Sequence, residues 1–169
     1  ETISQLLAEQ LNFTIVYVDL DHFKPYNDVY GYARGDELLQ YCGHLLQRNT
    51  ELQLDFVGHV GGDDFILLLR SPDWQSRCET ILSEFQQHLS RFFSSAHLAA
   101  QGYQAQNRQG EIQYHPLVSI SMGAAQIIAA QYNTHHEVAN VACAAKHMAK
   151  RQSGNTLFIE QRMQPCNPQ

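Results

Sequence analysis

No run of apolar residues in this chain is long enough to cross a membrane, and no secretory leader is visible at its start. The segment is therefore expected to make no membrane contact of its own. Basic residues are scarce, with 11 Lys and Arg against 17 Asp and Glu and a formal charge of −6. A nucleic-acid binder normally carries a basic stripe, so that class is excluded. A nucleotide accompanied by a metal ion is not, because the cation screens the phosphates. Cysteine is sparse as well: Cys42, Cys78, Cys143 and Cys166 lie far apart, with no C-x-x-C pair. That argues against a disulfide framework and for a reduced, cytoplasmic setting. Low-complexity tracts and internal repeats are absent, and 169 residues suit one domain with a real core. The chain opens on Glu1 rather than Met, and the expectation is a single domain over 1–169, excised from a longer multidomain protein.

What is present is organised around Gly61-Gly62-Asp63-Asp64-Phe65. The glycines join two apolar runs, the pattern of a two-residue hairpin, because the favoured turns need positive φ. Two adjacent carboxylates then stand at the mouth of a buried strand. Unpaired, they are costly there, so they read either as a cation site or as a solvated hairpin tip. Upstream, Ile3 to Leu11 repeat at helical spacing, and Phe13 to Val18 read as a strand buried on both faces, hence central. That strand runs into Asp19-Leu20-Asp21, a second acidic strand end. Pro25, Gly31 and Gly35 preclude one uninterrupted helix after it. The expectation is a short helix, a loop over Gly31–Gly35, and a new helix starting near Asp36.

Downstream, Trp74 to Phe93 predicts a long amphipathic helix, and Asn107-Arg108-Gln109-Gly110 a turn between two strands. Leu117 to Ala125 predicts a strand, Val138 to Arg151 a helix and Thr156 to Ile159 a last strand, with a fraying tail after Gln161. Hairpins mixed with helical crossovers define an α+β class: a central, mainly antiparallel sheet flanked by helices, near the palm or ferredoxin-like arrangement. In such a sheet the first strand's end and the hairpin turn are neighbours, so Asp19, Asp63 and Asp64 converge. Carboxylates from two strands, a carbonyl and phosphate oxygens make the hard oxygen shell that Mg²⁺ requires. Two such ions activate a hydroxyl and stabilise leaving pyrophosphate. Capping of the following helix is an equally good account of Asp21.

Asp19-Leu20-Asp21-His22-Phe23-Lys24-Pro25-Tyr26-Asn27-Asp28, with Gly31 and Gly35-Asp36, resembles the D-x-D-x-F-K-x-x-N-D-x-x-G-H-x-x-G-D stretch of GGDEF domains. Gly61 to Phe65 stands at their signature, Ser121-Met122-Gly123 at their S-x-G strand, and Ala142 with Ala149-Lys150 at their A-D-x-A-L-Y-x-A-K helix. The form of the first stretch is also similar to the subgroup found beside EAL and CBS modules. The resemblance implies a nucleotidyl cyclase-like fold and diguanylate cyclase chemistry in bacterial second-messenger signalling. Two GTP condense to cyclic di-GMP and two pyrophosphates, with Mg²⁺ or Mn²⁺, two ions per site. It implies metal at Asp19, the Leu20 carbonyl and Asp63, and catalytic roles for Asp63 and Asp64. Asn27 and Asp36 would read the guanine edge, and His22, Phe23, Lys24, Gly61, Gly62 and Lys150 would meet the phosphates. Each domain holds one GTP, so catalysis needs a homodimer, at least transiently. Blander accounts stand beside these: Asn27 as a loop cap, Lys24 and Lys150 as solvated cations, and His135-His136 as a polar helix start.

Several positions depart from the pattern. The fourth signature residue is Asp64 where Glu is usual, which draws the carboxylate back by about 1.5 Å, one carbon–carbon bond. His59 and Gly154 replace phosphate-side arginines, Tyr32 replaces His, and Cys143 and His147 replace Asp and Tyr. The allosteric product motif R-x-x-D falls on Leu52-Gln53-Leu54-Asp55, without its Arg. Leu52 offers no bidentate contact, so product inhibition through Asp55 is not expected. Two readings result: a cyclase of reduced activity, or a GTP-binding, dimerising module that regulates a linked cyclic di-GMP phosphodiesterase.

Overall fold

The computed structural model describes residues 2–107 and 109–161. Six α-helices and seven strands lie among the described residues. They run α1 (Thr2–Ala8), β1 (Phe13–Asp21), α2 (Phe23–Tyr30), α3 (Tyr32–Arg48), β2 (Phe56–Gly61), β3 (Asp64–Leu69), α4 (Trp74–His88), α5 (Ser95–Ala99), β4 (Gly102–Gln106), β5 (Ile112–Pro116), β6 (Ser119–Ile127), α6 (His135–Ala149) and β7 (Thr156–Glu160). Five strands form the main sheet in the order β2-β3-β1-β6-β7, and β4 and β5 form a separate hairpin. Every pairing in the main sheet is antiparallel except β6 with β7. The expected α+β class holds, and β1 takes the central position that its unbroken apolar run requires.

Alternation along β1 divides the core. Val16, Val18 and Leu20 point to the face covered by α2, α3 and α4, where they meet Tyr26, Leu38, Leu45, Ile81 and Phe85. Ile15 faces the other way, against Leu7, Val138 and Ala142 from α1 and α6. Cys42 and Cys78 sit fully inside, and burial pushes both thiols up to about 12, so they behave as packing groups. Cys42, Cys78 and Cys143 are all free, while Cys166 and the tail expected to fray lie outside the described residues.

Three expectations change. The α3 helix starts at Tyr32, with Gly31 at φ 87° as its N-cap, so Gly35 and Asp36 lie inside the helix rather than in a loop before it. Gly35 is required there by close approach: a Cβ would stand 1.7 Å from Asn27 Oδ1. The long helix expected to reach Phe93 ends at His88 and gives way to a 3₁₀ turn over Leu89–Arg91. The helix α6 begins at His135 rather than Val138, because the N-cap Thr134 accepts from the Glu137 N–H and Glu137 in turn accepts from the Asn133 N–H just before the cap. His135 and His136 are thereby its first turn. No helix among the described residues is long and apolar enough to cross a membrane.

Candidate active site

The hairpin tip differs in detail from its sequence reading. Gly61 already pairs with Asp64, so the two turn residues are Gly62 and Asp63, and a register shift falls between His59 and Gly61. Gly61 and Gly62 take φ of 139° and 58°, which explains the glycine pair. Asp63 is therefore in the turn, and Asp64 is the first residue of β3. The tip is tied to the centre of the sheet by the Leu20 N–H, which donates to the Asp63 carbonyl at 3.4 Å. His59 closes the turn, its Nε2–H donating to the Gly62 carbonyl at 2.9 Å while its ring stacks on Phe65.

Antiparallel register sets Asp19 directly opposite Asp64. Both lie on the α6 face, and α6 comes unusually close to the sheet because Gly123 has no side chain. A Cβ at Gly123 would stand 2.2 Å from the Lys146 backbone nitrogen. This approach delivers two ammonium groups to Asp19: Lys150 Nζ at 2.5 Å and Lys146 Nζ at 3.7 Å. Lys150 also lies 3.7 Å from Asp21. Asp21 does not cap α2. Its Oδ2 accepts from Ser119 and Ser121 at 2.8 and 2.7 Å, which fixes it to β6.

The electrostatics follow from burial. Asp19 is pushed up to about 6, chiefly by loss of water, with the Lys150 ammonium opposing and the Asp64 carboxylate reinforcing the rise. Burial works against the Lys150 charge, yet Asp19, Asp21 and Asp63 outweigh it and hold its pKa above the ordinary lysine value. Tyr17 donates to Asp64 Oδ2 at 3.2 Å, and its phenol is pushed up to about 12 by burial and then by that carboxylate. Asp64 Oδ1 is buried with no hydrogen-bond partner. Such an oxygen is costly to leave bare, and it is the feature that best fits a cation here. Among the described residues no three His, Cys, Asp or Glu side chains gather closely enough to hold a metal unaided, so the remaining oxygens would come from main chain and ligand.

A second group of residues lies on the opposite face. Asn27 on α2 packs over Gly35 on α3, and its Oδ1 is buried without a hydrogen-bond partner. Phe23 is buried, whereas His22, Lys24 and Asp36 are exposed, and His22 takes a left-handed conformation at φ 60° where β1 turns into α2. Neither Tyr17 nor Lys146 is singled out by motif. Both have a signal in periodicity: Tyr17 precedes Asp19 by two residues on one strand face, and Lys146 precedes Lys150 by one helical turn.

The predicted product motif has a different use here. Asp55 accepts from the Glu51, Arg70 and Ser71 N–H groups and from Ser71 Oγ, at 2.8 to 3.0 Å. Leu52 is 95% exposed.

Carboxylates at neighbouring strand ends of a mainly antiparallel sheet, backed by helices, define the palm-like class of nucleotidyl cyclases. Residues 1–156 match the family described as diguanylate cyclase, GGDEF domain, and the chain belongs to that family. It is 29% identical over 155 residues to the bifunctional diguanylate cyclase/cyclic di-GMP phosphodiesterase MucR of Pseudomonas aeruginosa, covering 92% of this chain and 20% of MucR. Over 90 residues it is 29% identical to diguanylate cyclase DgcS of Shewanella oneidensis, covering 52% of this chain and 30% of DgcS. The chain thus spans less than a third of either relative. Among solved structures, the GGDEF domain of DgcB from Caulobacter crescentus, in complex with c-di-GMP, aligns with a TM-score of 0.67 at 19% identity, over 93% of this chain and 82% of that one. The GGDEF domain of YfiN (TpbB) from Pseudomonas aeruginosa aligns with a TM-score of 0.68 at 21% identity, over 95% and 86%. At these identities the likeness concerns the fold. The family generally works with divalent metal ions.

Proposed function

We propose that this chain condenses two GTP to cyclic di-GMP and two pyrophosphates, at reduced rate, as one half of a homodimer. The observation that carries this reading is the Asp19–Asp64 pair, set opposite each other with Asp64 Oδ1 buried and without a hydrogen-bond partner. Asp19, the Leu20 carbonyl and Asp63 are the groups that would hold Mg²⁺ or Mn²⁺, two ions per site, with Asp64 Oδ1 supporting the second ion. Those ions supply Lewis-acid charge to the phosphates and the attacking hydroxyl. Lys150, already drawn to three aspartates, is placed to exchange carboxylate for triphosphate oxygens, with Lys24 and the main chain at His22, Phe23, Gly61 and Gly62 as further phosphate contacts. Asp63 and Asp64 orient the 3′-hydroxyl and draw off its proton as its oxygen bonds to the α-phosphorus of the facing GTP and pyrophosphate leaves. Asn27 and Asp36 take the guanine edge, and the partnerless amide oxygen of Asn27 supports that role. A cytoplasmic setting and linked EAL or CBS modules in a longer parent are part of the same proposal.

Two observations favour a second reading, a GTP-binding module that regulates a linked phosphodiesterase. His59, where the family pattern has a phosphate-side arginine, is occupied in closing the hairpin turn. Asp64 carries its carboxylate on a side chain one methylene shorter than the glutamate usual at that position. Incubation with GTP and Mg²⁺ or Mn²⁺ under enforced dimerisation separates the readings. Cyclic di-GMP and pyrophosphate that vanish with Asp63→Ala support the cyclase. Tight GTP binding without product over long incubation establishes the regulatory module instead.

A further inference from the structure

Tyr17 pairs directly with Ile66 across β1 and β3, which makes Asp64 its diagonal neighbour on the same face. Diagonal neighbours are about 7–8 Å apart, within reach of an aromatic side chain. The phenol uses that reach to donate to Asp64 Oδ2 at 3.2 Å, while Oδ1 keeps no partner. The ring itself is held from the other side: Lys146 Nζ stands 4.2 Å from its centroid and 3.7 Å from Asp19 Oδ2. Cation–π contact and ion pair therefore place one ammonium between the phenol ring and the opposite carboxylate. Gly123 makes this possible by admitting the α6 backbone against β6.

From this geometry we infer that Tyr17 is the positioning residue for Asp64, with Lys146 steadying its ring. One oxygen of the short carboxylate is fixed to the sheet, and the other is presented, unpartnered, to the cation and the reacting hydroxyl. A free aspartate side chain at a strand end samples several rotamers, and fixing one of its oxygens removes that freedom before the ligand arrives. The pair is matched in length. A glutamate at 64 would carry its carboxylate past the phenol and would not use it. The inference rests on the metal and catalytic reading given above.

The test compares Tyr17→Phe in three backgrounds, using the whole 169-residue chain. Phenylalanine keeps the ring and its ammonium and removes only the hydroxyl. In the wild-type background kcat for cyclic di-GMP formation should fall about tenfold with the KM for GTP within about twofold, the scale of one hydrogen bond to a charged group. In an Asp64→Glu background the same change should cost less than about twofold, because glutamate does not depend on the phenol. The third arm needs no turnover: Mn²⁺ binding to the GTP-loaded chain, read by electron paramagnetic resonance. Tyr17→Phe should weaken it about tenfold in wild type and leave it unchanged in Asp64→Ala. Lys146→Met, which keeps the aliphatic stem, should reproduce both losses at about two- to threefold and serves where Tyr17→Phe folds poorly. Equal losses in all backgrounds, or none in wild type, overturn the inference, as does a GTP-loaded chain that takes up no Mn²⁺. Product formation without coupling between 17 and 64 overturns the inference and leaves the cyclase reading standing. Coupled Mn²⁺ binding without product does the reverse.

Discussion

Asp55 and Asp64 flank the same hairpin, one at its base and one at its tip, and their carboxylates live in opposite circumstances. Asp55 accepts four hydrogen bonds, three from main-chain N–H groups, and these lace residues 51–55 to Arg70 and Ser71. Asp64 accepts one, from Tyr17, and keeps a buried oxygen bare beside a second carboxylate. A carboxylate saturated by backbone donors holds a turn together and has little left for a ligand. One left partly unsatisfied weakens the apo fold, and that weakness marks a place where a ligand is expected. The two residues share a hairpin and a chemistry, and only the count of donors separates structure from function.

The sharpest way to break this contrast is to remove each acid in turn. Asp64→Ala, like Asp63→Ala or Asp19→Asn beside it, should reduce cyclic di-GMP formation by at least about a hundredfold, as losing a main source of transition-state charge stabilisation does, with the melting temperature held or raised. Product chromatography and a thermal melt on the same sample check it. Asp55→Ala should behave in the opposite sense. It strands three main-chain donors and a hydroxyl, so stability should fall by about 2–3 kcal/mol in urea titration. Turnover per folded molecule should stay within about twofold of wild type. A variant that keeps its stability and loses activity would place Asp55 in the site after all.

The same contrast explains what is legible in the sequence. The sheet is legible because β1 carries an apolar run that reads as buried on both faces, and the acid pair because Asp19 and Asp64 lie near strand ends that register brings together. The position of Asp63 in the turn is not, since a Gly-Gly pair is taken for the whole turn when a register shift absorbs its first member. Gly35 misleads for a similar reason. A glycine reads as a helix breaker, yet here the helix needs it to clear Asn27. Periodicity puts Tyr17 on the face of Asp19 and Lys146 one turn before Lys150, but what they bind, like the four-donor shell of Asp55, depends on which elements touch.

A subtler test adds the missing arginine. Leu52 projects into solvent next to Asp55, so Leu52→Arg restores the R-x-x-D motif on paper. Cyclic di-GMP recognition through that motif would also need the Asp55 carboxylate, whose oxygens already hold four donors. Calorimetry with cyclic di-GMP should therefore detect no gain in affinity beyond about twofold, the worth of one exposed charge. Tight, inhibitory binding by Leu52→Arg would show that the shell around Asp55 opens readily.

The smallest expected effect concerns pH. Asp19 titrates at about 6 in the folded chain against an ordinary value of 3.8, with burial as the main cause. Below pH 4 it is protonated folded or unfolded. Between about 4 and 6 the folded chain keeps a proton that the unfolded chain has released, so this residue's contribution to stability declines as pH rises through that window and is flat above it. Other carboxylates work in the opposite direction, Asp73 for one, whose pKa is lowered by its bond to Arg77. The signal is therefore the difference between wild type and Asp19→Asn in metal-free urea titrations at pH 4.5, 5.5 and 7. That difference should move against wild type as pH rises, and Mn²⁺ with GTP at pH 7 should reverse it, because a bound cation favours the ionised acid. A difference that stays level across the three values would mean that the two lysines already neutralise Asp19 in full, leaving no deficit for a metal to offset.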